Sequence, residues 1–158
     1  MKKWMCAFLL VALCGFQSCA NDGWSVLFDG KTLEGWRASE NTGTFTVRDG
    51  MIVVHGSRSH LYYVGPVNNA DFKNFEFKAQ VMTEPGSNSG IYFHTTWQET
   101  GWPALGYETQ INNSHSDWKR TSSIYDVVNV KEAPAKDNEW FTQHIIVRDK
   151  HIIVKTNG

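Results

Sequence analysis

A carboxylate and two side-chain amides alternate along "GYETQIN", residues 106–112. Successive side chains of a β-strand point to opposite faces, so a strand here would present Glu108, Gln110 and Asn112 together on one face. A carboxylate whose pKa lies near the working pH can remove a proton from a substrate, and amides bind hydroxyl groups. This face is therefore a candidate catalytic surface, with Glu108 as its general base.

A second strand, "GIYFH" at residues 90–94, predicts further reactive groups beside the first. The alternation places Ile91 and Phe93 inward and Tyr92 and His94 outward. An imidazole next to a carboxylate could protonate a leaving group or bind a metal ion together with it. We therefore take His94 as a second candidate catalytic residue, and His94 with Glu108 as candidate ligands for a divalent metal, whose presence the sequence does not establish.

The elements that must position these residues are β-strands, because short alternating runs recur and no helical period is sustained. The predicted strands are 25–28, 45–48, 51–55, 60–64, 72–83, 90–96, 106–112, 124–128, 141–148 and 151–155. Asp49-Gly50 separates two of these runs at a spacing of two residues, which predicts a tight hairpin. This pattern is typical of an all-β sandwich or barrel.

The irregular segments between the strands carry exposed aromatic candidates. Trp97, Trp102 and Trp118 lie in the segments 96–105 and 113–123. Tryptophan rings in such segments can stack on the apolar face of a ligand ring, although packing against the core is the ordinary alternative.

The N-terminus predicts export. Lys2 and Lys3 precede a short apolar run that ends before Cys19, as in a signal peptide, and Cys19 resembles the lipidated cysteine of bacterial lipoproteins. We expect a lipoprotein signal peptide at 1–18, a short linker at 19–23 and a β-sandwich domain at 24–158. The protein would then be anchored by lipid at Cys19 to a bacterial membrane, in the periplasm or at the cell surface.

Charge and motifs exclude other classes. The net charge of −1 provides no basic surface for nucleic acid. No Gly-x-Gly-x-x-Gly follows a strand, so no redox-cofactor site is predicted. The remaining histidines have no metal-ligand spacing and receive no role. The turn dipeptide Asn157-Gly158 directly follows a predicted strand, so we expect at least one further strand beyond it, and hence a C-terminally truncated domain.

Several segments resemble one family in order and spacing. They are "GWSVLFDGKTLEGWR", "FTVRDGMIVV", "DFKNFEFKAQV", "SNSGIYFH", "GYETQI", "SSIYDV" and "NEWFTQHIIVRDKHIIVKTNG". Together they resemble the bacterial 3-keto-disaccharide hydrolase domain family over residues 23–158. This resemblance implies a concanavalin A-like jelly-roll sandwich of two antiparallel sheets, with a groove across a concave sheet. Positions that match its groove strands are Tyr92, His94, Glu108 and Gln110, and many members carry arginine where His94 stands.

The resemblance implies a reaction on 3-keto-glycosides or 3-keto-disaccharides outside the cytoplasm. A ketone at C3 acidifies the C2 proton, so a base can remove it, the group on C1 can leave, and water can then add. Glu108 would be the base and His94 an acid or metal ligand, while the hydroxyl partners would be Tyr92, Gln110, Asn112 and Tyr125. Trp97, Trp102 and Trp118 would stack on the sugar. A sugar 3-dehydrogenase would supply the ketone as a pathway partner.

Two alternatives stay open at this stage. Ordinary glycoside hydrolysis requires two facing carboxylates, whereas this strand provides Glu108 alone. The missing second carboxylate is compatible with a non-catalytic, lectin-like carbohydrate-binding module, since one fold hosts both functions. A fragment that lacks a groove strand and is inactive alone is the third interpretation.

Overall fold

The computed structural model describes residues 23–158, in which all paired strands are antiparallel. The predicted signal peptide and the lipidation site at Cys19 lie outside these residues. The strands are β1 Trp36–Ala38, β2 Phe45–Arg48, β3 Met51–Val54, β4 Leu61–Tyr63, β5 Phe75–Val81, β6 Ser89–Phe93, β7 Tyr107–Ile111, β8 Phe141–Arg148 and β9 His151–Thr156.

The topology confirms the predicted all-β class. β1 pairs with β4, β2 with β3 and β6 with β7, while β8 lies between β5 and β9. The helical elements of the described chain are two short 3-10 turns, Thr42–Thr44 and Val67–Ala70, and no helix in this part is long and apolar enough to cross a membrane. The fold is a jelly-roll sandwich of antiparallel sheets.

The core follows from alternation along β5, β6 and β8. Phe75 and Phe77 of β5 lie opposite Val147 and Ile145 of β8. The two β8 residues are fully buried and pack with Phe93 of β6. Burial of each such side chain stabilises the folded state by about 1.5–3 kcal/mol. This stabilisation determines which face of β6 is turned to the core. The opposite face of β6 therefore carries Tyr92 outward.

The Asp49-Gly50 hairpin forms as predicted. Both residues have positive φ, 51° and 78°, the conformation that a two-residue hairpin requires. Arg48 lies directly opposite Met51, so the strands join without an extra residue.

Other predicted strands differ in the structure. Residues 25–28 form no strand, and Leu27 instead accepts a hydrogen bond from the Trp36 indole at 2.8 Å. At 124–128 the chain turns back on itself through mutual backbone bonds between Ile124 and Val128, so only isolated bridges form. β1 was not predicted, because three residues are too few to show a period.

Candidate active site

Glu108 and Tyr92 face each other across the β6–β7 pair. The two residues are direct cross-strand partners, and the Tyr92 hydroxyl donates a hydrogen bond to Glu108 Oε2 at 2.8 Å. Their side chains project from the face opposite Phe93. The register of β6 and β7 therefore confirms a prediction from the sequence: Tyr92, Glu108 and Gln110 share one face of the strand pair.

Gln110 and Gly90 shape the space that the Glu108 carboxylate occupies. The Gln110 side-chain amide is oriented so that both its oxygen and its nitrogen have hydrogen-bond partners. In this orientation Nε2 donates to Glu108 Oε1 at 3.1 Å and to the Ser89 carbonyl at 3.2 Å. Gly90 lies opposite Gln110, and a Cβ there would approach the Cγ and Cδ of Glu108 to 2.6 and 2.7 Å. The glycine is thus required for the Glu108 side chain to fold over β6.

The environment of Glu108 favours the protonated form of its carboxyl more than solvent would. Burial raises the pKa of the Glu108 carboxyl, and the negative charge of Asp117 adds to the effect. The hydrogen bond from Tyr92 and the charge of Lys119 act in the opposite direction. Burial, followed by the Glu108 hydrogen bond, also raises the pKa of Tyr92, so Tyr92 stays a protonated donor. A carboxylate with a raised pKa is a stronger base than an exposed one.

Asn112 organises the segment that follows β7. Its side chain is fully buried and donates from Nδ2 to the carbonyls of Asp117 and Lys119 at 2.8 and 2.9 Å. Its Oδ1 accepts from the His115 amide at 2.8 Å and from the Arg120 guanidinium at 3.1 Å. We call β7 together with residues 112–126 the polar bank of the site.

The polar bank brings further charged groups near Glu108. The Tyr125 amide donates to the Glu108 carbonyl at 2.9 Å, which fixes Tyr125 beside β7. The Tyr125 hydroxyl donates to Asp117 Oδ2 at 3.1 Å, and the Lys119 ammonium lies 3.9 Å from the Tyr125 ring centroid. Lys119 also pairs with Asp126 at 3.0 Å. Backbone hydrogen bonding by Lys119 lowers the pKa of Asp117, which therefore stays ionised.

The other side of the site is aromatic. The His60 ring makes edge contacts with Tyr92 and Trp102, each with centroids 5.4 Å apart, and lies 6.4 Å from the Tyr62 ring. We call His60, Tyr62 and the segment 97–105 the aromatic bank. Trp102 is 60 % exposed, with the Arg58 guanidinium 5.6 Å from its ring centroid, so part of the ring surface remains open to a ligand.

A partly buried carboxylate holds the aromatic bank in place. Glu40 accepts from Arg58 Nε at 2.8 Å and from the Gly101 amide at 3.0 Å. The Glu40 amide in turn donates to the Glu99 carbonyl at 2.9 Å. Trp97 is covered differently, because the Arg37 guanidinium lies 3.5 Å from its ring centroid.

The predicted site residues therefore fall into separate places. Glu108, Tyr92, Gln110 and Tyr125 come together, Trp102 lies on the aromatic bank, and Trp118 is half-exposed in the polar bank beside Lys119. One face of Trp97 is already covered by Arg37. Gln110 is buried and contacts Glu108, so its position supports the carboxylate and does not open towards a ligand.

Two expectations need correction. His94 has a positive φ of 56°, which ends the alternation, so its ring packs on Phe75 and Phe93 and its Nε2 contacts the Lys73 carbonyl at 2.9 Å. It therefore does not share the face of Tyr92. Asn112 is buried and fully hydrogen-bonded within its own loop, and does not project towards a sugar.

The structure also does not support the expected metal pair. Because His94 packs with the core aromatics, it does not join Glu108. Within residues 23–158, no group of three or more histidine, cysteine, aspartate or glutamate side chains is arranged to hold a metal ion. No step below depends on a metal.

His60 and Tyr62 are site residues that the sequence prediction left without a role. The segment "HLYY" at residues 60–63 alternates like the other strands, which places His60 and Tyr62 on one face. That alternation was the available signal. The contact of His60 with Tyr92 could not be inferred, because it depends on how β4 and β6 are placed.

The sandwich thus presents a half-buried, hydrogen-bonded carboxylate on its polar bank, next to an aromatic bank. The family of 3-keto-alpha-glucoside-1,2-lyase-like domains matches residues 23–158, and the chain belongs to this family. This confirms the family resemblance seen in the sequence.

Two individual proteins add to this result. A 3-keto-disaccharide hydrolase from Bacteroides thetaiotaomicron is 28 % identical over 158 aligned positions, covering 80 % of this chain and 53 % of the relative. The chain thus spans about half the length of that relative. A crystal structure from Parabacteroides distasonis, provisionally described as a glycosyl hydrolase, superposes with a TM-score of 0.70 at 23 % identity, covering 85 % of this chain and 68 % of the other. At that identity, the similarity concerns the fold alone.

Proposed function

We propose that this domain cleaves 3-keto-glycosides or 3-keto-disaccharides by elimination followed by hydration, with Glu108 as the general base. Membership of the family supports the substrate class. The observation that carries the proposal is the Glu108 carboxylate itself, half-buried, bonded to Tyr92 and given its space by Gly90.

The chemistry requires one base. Glu108 removes the proton from C2, and the electron pair of the C–H bond forms C2=C3 while the C3 oxygen becomes an enolate. The enolate collapses to the ketone, C1=C2 forms, and the C1–O bond breaks with its electrons on the leaving alkoxide, which takes up a proton. Water then adds its hydroxyl to C1 and a proton to C2. A well-placed base contributes roughly 100- to 10,000-fold to such a step.

The banks supply binding groups in this proposal. Trp102 and Trp118 offer exposed rings for stacking. Tyr92 and Tyr125 offer hydroxyls to the sugar, and Lys119 offers a cation at the same bank. Asp117 is a second carboxylate of the same bank, but its Oδ2 accepts from the Tyr125 hydroxyl and is thus engaged by the fold. We therefore take Glu108 as a base for proton abstraction and not as one of a pair of carboxylates used in double displacement.

Replacement of Glu108 tests the assignment. We expect Glu108→Gln to lower the rate of aglycone release from a 3-keto-glucoside by at least about 100-fold, because the amide cannot accept the proton. The matched control is Glu132→Gln, an exposed glutamate. Release by Glu108→Gln at the wild-type rate would remove Glu108 as the base.

A carbohydrate-binding module without catalysis is the second candidate, favoured because β7 carries Glu108 as its one carboxylate. Calorimetry with plain and 3-keto disaccharides, followed by analysis of the recovered sugar, separates the two. A binder would return the 3-keto sugar intact, whereas the enzyme would return cleaved product.

Export, lipid anchoring and pathway context form part of the same proposal. The basic start, the apolar run and Cys19 support a lipid-anchored protein of the bacterial envelope. A labelled fatty acid should be incorporated into the full chain and not into Cys19→Ser. Because the substrate is an oxidised sugar, a sugar 3-dehydrogenase must act upstream, and the chain should show no turnover of the unoxidised disaccharide.

A further inference from the structure

His60 is fixed at the junction of the two banks. Its amide donates to Ser39 Oγ at 3.0 Å, and its carbonyl accepts from the Ser39 amide at 2.9 Å. Its ring meets Tyr92 edge-on, and Tyr92 bonds to Glu108. An imidazole is thereby held one aromatic ring away from the proposed base.

The nitrogens of the His60 ring are unused by the fold. Nδ1 is shut off from solvent without a hydrogen-bond partner, which leaves Nε2 as the accessible nitrogen. Among the described residues, neither nitrogen makes an ion pair or hydrogen bond. A buried polar atom without a partner costs about 1–3 kcal/mol, so its retention requires an explanation.

The charge state of the ring follows from its surroundings. Burial lowers the pKa of His60, the neighbouring Arg58 lowers it further, and Glu40 acts in the opposite direction. The other titratable groups that face the ring are the phenols of Tyr62 and Tyr92 and, beyond Tyr92, the Glu108 carboxyl. The ring is therefore neutral at neutral pH, and we place its single N–H proton on Nε2, the nitrogen that is not shut off from solvent.

We propose that His60 is a further catalytic residue, which donates a hydrogen bond from Nε2 to the C3 oxygen of the 3-keto sugar. This proposal rests on the proposed function. As Glu108 takes the C2 proton, negative charge develops on the C3 oxygen, and the Nε2–H stabilises it there. No proton is transferred to or from His60, so the elimination balances as written above.

A neutral imidazole suits this role because its N–H matches the acidity of an enol more closely than an imidazolium does. The pairing of a glutamate base with a neutral histidine that polarises a carbonyl is an established solution for proton abstraction next to a ketone. Donors directed at a developing oxyanion contribute roughly 100- to 1,000-fold each. The ring contacts with Tyr92 and Trp102 would keep the donor oriented before the substrate arrives.

The test uses a 3-keto sugar that carries hydrogen at C1 in place of a leaving group, labelled with ¹³C at C3. This probe cannot eliminate, so exchange of its C2 proton with deuterated water reports abstraction alone. The variants are His60→Phe, which keeps an aromatic ring against Tyr92 and Trp102, and His60→Gln, which keeps a donor. Calorimetry gives the affinity for the probe, and infrared spectroscopy gives the C3 carbonyl stretch of the bound probe.

The wild type should lower the carbonyl stretching frequency and catalyse exchange. In His60→Phe the frequency shift should disappear and exchange should fall roughly 100-fold or more, while affinity changes only a few-fold and melting is unchanged. His60→Gln should recover part of both signals. If the carbonyl frequency shift in His60→Phe equals that of the wild type, the proposal is overturned. Any fall in the exchange rate would then come from altered packing.

The same experiment separates failure of this inference from failure of the proposed function. If the wild type exchanges the C2 proton of the probe and Glu108→Gln does not, the assignment of Glu108 as the base holds, whatever the His60 variants show. If the wild type neither binds nor exchanges the probe, the 3-keto substrate class itself is wrong, and the role of His60 is overturned with it.

Discussion

The two banks of the site are held by different physical means. In the polar bank, the fully buried side chain of Asn112 ties its loop with hydrogen bonds to backbone groups. In the aromatic bank, the Glu40 carboxylate ties the segment 97–105 through Arg58 and the Gly101 amide, with the Arg58 side chain 44 % exposed. Bonds inside a protein are stronger and costlier to leave unmade than those at a surface, where water and salt compete.

Because the two banks are held differently, we expect them to differ in rigidity and in their roles at the site. The polar bank, which carries the base and the charged groups Asp117 and Lys119, should be rigid. The aromatic bank, which carries the exposed Trp102, should adjust to ligands of different shape. Preorganisation matters most where charge changes during a reaction, and stacking on a sugar tolerates small displacements.

Removal of the Asn112 side chain should have the largest effect. Asn112→Ala removes a partner from the His115 amide, from the Lys119 carbonyl and from the Asp117 carbonyl, which keeps its bond from Arg120. We expect a loss of about 3 kcal/mol in the free energy of unfolding. Urea denaturation measures it. The control is Asn129→Ala, which removes a single hydrogen bond from an exposed loop. If both variants unfold at the same urea concentration, Asn112 does not secure the polar bank.

A methyl group at position 90 should disable the base without unfolding the protein. Gly90→Ala forces the Glu108 side chain into another rotamer, and we expect kcat/KM for a 3-keto-glucoside to fall about 30-fold, since small misplacement of a catalytic group is costly. Gly43→Ala adds the same methyl group where no atom lies within 4 Å, and should keep full activity. Equal activity of the two variants would contradict the role given to Gly90.

Replacement of Tyr92 should shift the pH dependence. The Tyr92 hydrogen bond lowers the pKa of Glu108, so its loss in Tyr92→Phe raises that pKa further. Because the base acts only when deprotonated, the acid limb of the kcat/KM profile should move to higher pH. A limb that stays in place or moves to lower pH would show that another group titrates there. The effect on rate above that limb should be small.

Loss of charge in the aromatic bank should have the smallest effect. Glu40→Gln keeps an oxygen for the Gly101 amide but removes the ion pair with Arg58, and exposed pairs contribute less than about 1 kcal/mol. The difference in unfolding free energy from wild type should shrink as salt is added. Glu139→Gln, which disrupts the 3.9 Å pair with Lys136, provides a comparison with an even more exposed pair. If Glu40→Gln lost several kcal/mol of unfolding free energy at every salt concentration, the two banks would be equally rigid.

Alternation alone predicted much of the floor of the site. It placed Tyr92, Glu108 and Gln110 on one face correctly, because strand register depends on a period that is visible in the sequence. It failed at His94, where a positive φ after β6 turns the side chain to the other face. That change is set by local backbone conformation, which the residue type does not reveal.

Asn112 shows a second kind of limit. β7 ends at Ile111, one residue before it, and the Asn112 amide bonds to the loop that immediately follows and not to solvent. Asparagine readily satisfies nearby backbone groups, and whether it does so depends on the path of the following residues. The aromatic bank could not be predicted for a similar reason, since His60, Tyr92 and Trp102 meet only through long-range packing.

The absence of a side chain at Gly90 has a practical consequence. Because the Glu108 side chain occupies the space that a Cβ would need, an alanine at this position should give a protein that still folds and retains Trp102, Tyr125 and the remaining binding groups. It should consume its ligand about 30-fold more slowly. Such a variant would lengthen the time for which the intact 3-keto sugar can be observed on the protein. The glycine thus offers a route to the Michaelis complex that leaves the carboxylate chemically unaltered.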